Sequence, residues 1–214
     1  MVVVVPISEF ASCMGYCQFR IINSFHLGLS PKVSAAQING KKVHEELEDI
    51  DVLIPREAVT REDLLDPSVD LDIPRETLRV LIKRKNKNDF VYIGRMDKVM
   101  RLNGNIHIID DKTTSKPRTI FPDKPIQLSC YCEGFKENYS DFIAFNKIFF
   151  SVIQRDKNGS ILQEDKEEFT KQTREMLMKK FDLFERILNK EIEPEHHNNI
   201  NKCRACGFDC KFKI

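Results

Sequence analysis

An α/β fold, a mixed β-sheet with helices packed on it, is what this 214-residue sequence predicts. Three observations lead there. Four stretches space their apolar residues as one face of a helix. Strand-like stretches lie between them, and two pairs of these are separated by Asn-Gly, at Asn103-Gly104 and Asn158-Gly159, the strongest short-range hairpin signal. With 31% charged and 41% hydrophobic residues, the chain has the composition of one that folds, and its length fits one core with elaborations.

The elements follow in order. "MVVVVPI" reads as a first strand. It is far too short to span a bilayer and lacks the basic region and cleavage site of a secretory signal, so a cytoplasmic protein with no membrane partner is expected. Residues 8–28 read as one helix carrying Cys13 and Cys17, stopped by Gly28. A second helix, residues 30–50, opens with Ser30 as N-cap and Pro31 at its first position, and carries His44 near its end. Residues 49–76 hold three prolines and read as an irregular acidic insertion.

"ETLRVLIKR", "DFVYIGRMDKVMRL" and "NIHIIDDKT" then read as three strands. A helix after Pro122 places Gln127 and Tyr131 one turn apart, a second hairpin turns at Asn158-Gly159, and a long helix covers about Lys166 to Lys190 with Phe169, Leu177, Phe181, Phe184 and Leu188 on its apolar side. The organisation expected is one domain: a helical part at 1–48, the insertion at 49–76, the sheet and its helix at 77–166, and the long helix with a cysteine-rich tail at 167–214.

Charge is uneven although the net value is only +1. Glu45 to Glu76 holds twelve acidic residues against three arginines, and Thr77 to Arg118 eleven basic against four acidic. One face should repel polyanions and another attract them. Within the basic half, residues two apart on a strand share a face, so Asp110 and Lys112 point one way and Asp111 the other. Asp97, on the adjoining strand, brings a second carboxylate to that face in the right register. Converging carboxylates want a cation between them, and an all-oxygen site suits Mg²⁺ or Mn²⁺. A lysine beside that ion could orient a water or stabilise charge on a phosphate.

Seven cysteines without a secretion signal are expected to remain thiols. Cys203, Cys206 and Cys210 form a C-x2-C-x3-C cluster, and three such thiolates want a metal. Cys130 and Cys132 read as half-buried packing residues, and the adjacent His196 and His197 as solvent-exposed.

The ordered set of His44, "GRMD", "IHIIDDKTT" and "QLSCY" resembles the RecB-like branch of the PD-(D/E)XK nuclease superfamily. The resemblance implies a restriction-endonuclease-like core. It makes Asp97 and Asp110 metal ligands together with the Asp111 carbonyl and His44, makes Lys112 the catalytic lysine, and sets Gln127 and Tyr131 on the helix lining the active site. "YCQFR" resembles the branch's Cys-Pro-Arg segment, which points to Cys17, with Cys13 as runner-up, as the fourth ligand of a structural 4Fe-4S cluster with Cys203, Cys206 and Cys210; zinc is the alternative. Gln18 stands where proline is usual, and the last cysteine gap is three residues where five is common.

Relatives with this pattern include CRISPR-associated exonucleases of the fourth Cas family and nucleases of replication and repair. The function so implied is a metal-dependent exonuclease acting on DNA ends, with single-stranded DNA as substrate and a CRISPR integrase or other DNA-processing proteins as partners. Two other classes stand beside it: a non-catalytic DNA-binding or assembly module of the same fold, and a zinc-clasped interaction domain.

Overall fold

The computed structural model describes residues 2–30, 60–73, 78–197, 203, 206–208 and 210. The helix expected over residues 30–50, with His44, lies outside them apart from Ser30.

The fold is α/β, but its strands form two sheets rather than one. The first has the order β1 (Val2–Pro6), β4 (Asp89–Arg95), β3 (Arg79–Lys85), with β1 parallel to β4 and β3 antiparallel to it. The second runs β2 (Leu71–Ile73), β5 (Lys98–Leu102), β6 (Asn105–Thr113), β7 (Ile148–Arg155), β8 (Ile161–Glu168). Its one parallel pair is β6 with β7. The stretch expected as a single strand from Asp89 to Leu102 is therefore two. Met96 and Asp97 form the corner where the chain leaves one sheet for the other, and Met96, wholly buried, anchors it. The buried row changes here from even positions (Phe90, Tyr92, Met96) to odd ones (Val99, Arg101), and no proline or turn pair marks the change in the sequence.

The first long helix is also interrupted. Helix α1 (Ile7–Gly15) ends before Cys17, and α2 (Phe19–Ile21) restarts the path, widening over Ile22–His26 into a turn in which Leu27 N donates to the Ile22 carbonyl at 3.0 Å. Gly15 explains the stop: a Cβ there would lie 2.5 Å from the backbone nitrogen of Asp123, so the end of α1 abuts another helix's start. Cys17 consequently sits on a turn and not on a helix face.

Residues 60–73 of the acidic insertion are more ordered than expected. Thr60 caps a short helix α3 (Arg61–Leu65) in a reciprocal box with Asp63, and β2 pairs with β5. Arg101, wholly buried on β5, holds this segment down by donating to the carbonyls of Asp63, Leu64, Val69 and Ala144.

Helix α4 (Asp123–Tyr139) follows β6. Helix α5 (Lys171–Leu188) begins later than expected, because residues up to Glu168 pair with β7 and Thr170 supplies the N-cap. Its inner face buries Leu177, Phe181, Phe184 and Ile187; Phe169 precedes it, packed on the core. Phe10 of α1 stacks on Phe181 at 4.5 Å, and Tyr92 of β4 closes the aromatic cluster. Tyr92 and Arg84 both donate to the buried Glu185 carboxylate. Cys130 and Cys132 are fully buried rather than half-buried.

Candidate functional site

The site begins with a turn. Asn103 and Gly104 both have positive φ, 51° and 74°, the backbone of a two-residue hairpin turn. It fixes the register of β5 on β6: Leu102 faces Asn105 and Lys98 faces Ile109. The ladder ends at Lys98 and Ile109, and the next residue on each side is a carboxylate: Asp97 at the corner before β5, and Asp110 on β6.

On β6, Ile106, Ile108 and Asp110 are buried while His107, Ile109 and Asp111 are only partly so. Asp110 thus continues the core-facing row, 4% exposed. Lys112, two residues on, places its Nζ 2.8 Å from Asp110 Oδ1. The other carboxylate oxygen, Oδ2, is buried and has no hydrogen-bond partner. A buried oxygen left so is costly unless a further donor or cation meets it. Asp111 takes the opposite face, where Arg155 Nε donates to its Oδ1 at 2.7 Å. Its backbone carbonyl points away from β7: Ile106 and Thr114 send their N–H groups toward β7, and strand alternation sends the odd positions toward the β5 side.

Helix α4 supplies a second wall. Lys124 Nζ donates to Gln127 Oε1 at 3.0 Å, and Gln127 Nε2 donates to Tyr131 Oη at 2.9 Å. Burial pushes the Tyr131 phenol up to about 12, the hydrogen bond from Gln127 opposes this, and the charges of Asp97 and Asp110 add to it. Tyr131 therefore lies within electrostatic reach of both carboxylates. Gly94 makes room for it: a Cβ there would come 2.7 Å from Tyr131 Cε1. The glycine of "GRMD" is accounted for by this packing.

Two residues were missed by sequence reasoning. Asp123, at the start of α4, is 7% exposed with Oδ1 buried and unpartnered. Burial raises its carboxyl pKa, and the nearby charge of Asp110 contributes in the same direction. Tyr16 is hydrogen-bonded to Asp123, and its phenol is raised chiefly by burial. An Asp in the first turn of a helix ordinarily reads as a favourable charge at the helix end, so no sequence signal set Asp123 apart.

The cysteine tail lies elsewhere. Cys17, Cys203, Cys206 and Cys210 line one cavity, and His196 and His197 line it with them. Cys13 does not; it is wholly buried in α1 with its thiol 3.8 Å from Glu9 Oε1. Arg20 reaches the tail, donating from Nη1 to the Cys206 carbonyl at 2.8 Å. In number and kind, four thiolates fit either an iron-sulfur cluster or zinc. The histidines are half-buried here rather than solvent-exposed.

Residues 77–210 match the family model described as the PD-(D/E)XK nuclease superfamily. The chain belongs to this superfamily. None of the curated proteins matches it by sequence. Among solved structures, SSO0001 is similar with a TM-score of 0.57 at 15% identity, over 99% of this chain and 87% of that one. A candidate exonuclease from Eubacterium rectale is similar with a TM-score of 0.53 at 14% identity, over 99% and 90%. These two likenesses concern the fold. The span matched to the PD-(D/E)XK nucleases contains Asp97, Asp110, Lys112, Gln127 and Tyr131, whereas Tyr16 and Cys17 precede it. Among the described residues no helix is long and apolar enough to cross a membrane.

Proposed function

We propose that this PD-(D/E)XK protein is a divalent-metal-dependent deoxyribonuclease that removes nucleotides from DNA ends. The observation that carries the reading is Asp110: a buried carboxylate with one oxygen on Lys112 and the other without a partner, its charge acting with that of Asp97 on the Tyr131 phenol. Asp97, Asp110 and the Asp111 carbonyl would hold Mg²⁺ or Mn²⁺, with His44 as a further ligand. The ion, when bound, neutralises phosphate charge and makes a nearby water a better nucleophile.

The chain's own groups do the rest. Lys112, fixed by Asp110, presents its ammonium where an attacking water and a phosphoryl oxygen meet, so it orients the one and offsets charge on the other. Gln127 and Tyr131 hold each other and present amide and hydroxyl groups to the sugar-phosphate backbone. The segment after β6 is pinned by Gln154, whose side chain bonds both the N–H and the carbonyl of Arg118. Lys116 and Arg118 are exposed on it, placed to attract a DNA backbone toward Lys112. In the basic stretch from Lys83 to Lys87, Arg84 is taken up by Glu185 and Asp182, leaving Lys83, Lys85 and Lys87 exposed.

Support for a single-stranded substrate comes from Phe121. It is 55% exposed, lies between Arg118 and Lys124 in the sequence, and has its ring 5.8 Å from that of Tyr16. An exposed aromatic among cations is a platform on which an unpaired base stacks. CRISPR adaptation, alongside an integrase, and DNA replication or repair are the settings the sequence pattern supports. Incubating the purified protein with Mn²⁺ and single-stranded DNA having free or blocked ends tests the reading. Nucleotide release from free ends only is expected, and no cleavage of any substrate would refute it in favour of a non-catalytic DNA-binding module.

A further inference from the structure

The four-cysteine reading leaves out two imidazoles that the fold brings into the same cavity. His196 Nε2 and His197 Nε2 each lie 3.9 Å from Cys203 Sγ, and all three atoms lie within 4.8 Å of one another. In a tetrahedral zinc site with bonds of about 2.3 Å to sulfur and 2.0–2.1 Å to nitrogen, the sulfur-to-nitrogen edge is about 3.6 Å. Both sulfur-to-nitrogen distances thus stand close to the spacing that one ion imposes.

Their placement is held from both chain ends. The Glu195 N–H donates to Gln18 Oε1 at 2.9 Å, tying the residue before His196 to the residue after Cys17. The His196 ring packs edge-on to Phe19 at 6.0 Å. On the other side, Cys206 N donates to the Cys203 carbonyl at 3.3 Å, and Gly207, with φ of 74°, turns the chain directly after Cys206. Arg20, 7% exposed, has Nη1 3.7 Å from Cys206 Sγ. The cavity measures about 20 Å³, room for one water-sized body. Mixed imidazole and thiolate donors suit zinc among the common ions.

We propose that His196, His197 and Cys203 bind a single tetrahedral ion of zinc type, with a thiolate of the same cavity as the fourth ligand. The assignment differs from an all-cysteine iron-sulfur cluster in its two nitrogen ligands, and it does not depend on the nuclease reading, since metal content reports it directly.

The test uses the full chain purified anaerobically, with metals measured by mass spectrometry and the visible spectrum recorded. One zinc per chain and a colourless protein are expected, as is a cobalt-substituted form with the intense visible bands of a tetrahedral nitrogen-sulfur site. His196→Ala/His197→Ala should lower zinc retention against a chelator at least tenfold. His197→Cys keeps a zinc ligand, so it should retain the ion and shift the cobalt bands; it also guards against a double variant that fails to fold. Separate Cys17→Ala, Cys206→Ala and Cys210→Ala variants identify the fourth ligand as the one whose loss matches that of Cys203→Ala. Iron and acid-labile sulfide with absorbance near ~400 nm, unchanged in the histidine variants, would overturn the proposal. So would a folded wild-type chain that binds neither zinc nor cobalt.

Discussion

The carboxylate corner and the cysteine pocket place their donors by opposite means. At the corner, backbone register sets every position: a two-residue turn aligns β5 with β6, alternation turns Asp110 inward and Asp111 outward, and α4 closes over them. Among the described residues no strand lines the pocket. Its donors sit on turns and chain ends as far apart as Cys17 and Cys210, and hydrogen bonds such as Glu195 to Gln18 and Arg20 to Cys206 align them. A site ruled by register tolerates no shift along the strand but survives changes far away in the chain. A site ruled by long-range closure is stable only as far as the contacts across it, or an ion within it, hold the ends together.

The sharpest way to break this contrast is at Asp110 and Asp111, neighbours on opposite faces. Lys112→Ala and Asp110→Ala should each lower the single-turnover rate of Mn²⁺-dependent cleavage by ~10²–10⁴-fold, with circular dichroism unchanged. Asp111→Ala, which loses only its pair with Arg155 and keeps its carbonyl, should stay within a few-fold of the parent. Equal losses at 110 and 111 would mean that register does not govern the corner. Next in size, Phe121→Ala should weaken binding of single-stranded oligonucleotides by roughly 5- to 100-fold in anisotropy titrations, the equivalent of one base stack. Binding of blunt duplex should hardly move.

Gly15→Ala probes the joint between the two regions, where α1 meets α4. The added methyl has backbone 2.5 Å away and cannot be relieved by a side-chain rotation. A loss of about 1–3 kcal/mol in denaturant unfolding is expected, typical of overpacking. The smallest effect is at Asp123. Burial raises its pKa, so its contribution to stability is fully present below the unfolded value, ~3.9, and is lost as pH rises through the folded value. Metal-free Asp123→Asn should therefore melt above the parent at neutral pH, with the difference vanishing under acid conditions. A variant that melts lower at pH 7 would show that the ionised carboxylate is already compensated.

Much of the corner was legible in the sequence because its signals are local. The Asn103-Gly104 pair announced its own turn, and the run from Ile106 to Lys112 announced its faces. The break at Met96–Asp97 was not legible, since the buried row passes from even positions (Phe90, Tyr92, Met96) to odd ones (Val99, Arg101) with no proline or turn pair to mark the change. The insertion's order escaped because it depends on Arg101, thirty or more residues away, finding four carbonyls. His196 and His197 looked solvent-exposed for a similar reason. Only closure of the chain ends brings them to Cys203, and adjacent histidines in a polar segment carry no mark of it.

The corner at Met96 and Asp97 carries one consequence for how this domain can change over time. Two residues span the step between sheets, and registers on both sides are locked, Arg95 to Arg79 on one and Lys98 to Ile109 on the other. Replacing Asp97 removes one carboxylate and leaves the frame intact. Inserting or deleting a single residue there would force one sheet to slip, turning core rows outward, so the segment should vary by exchange of side chains and keep its length.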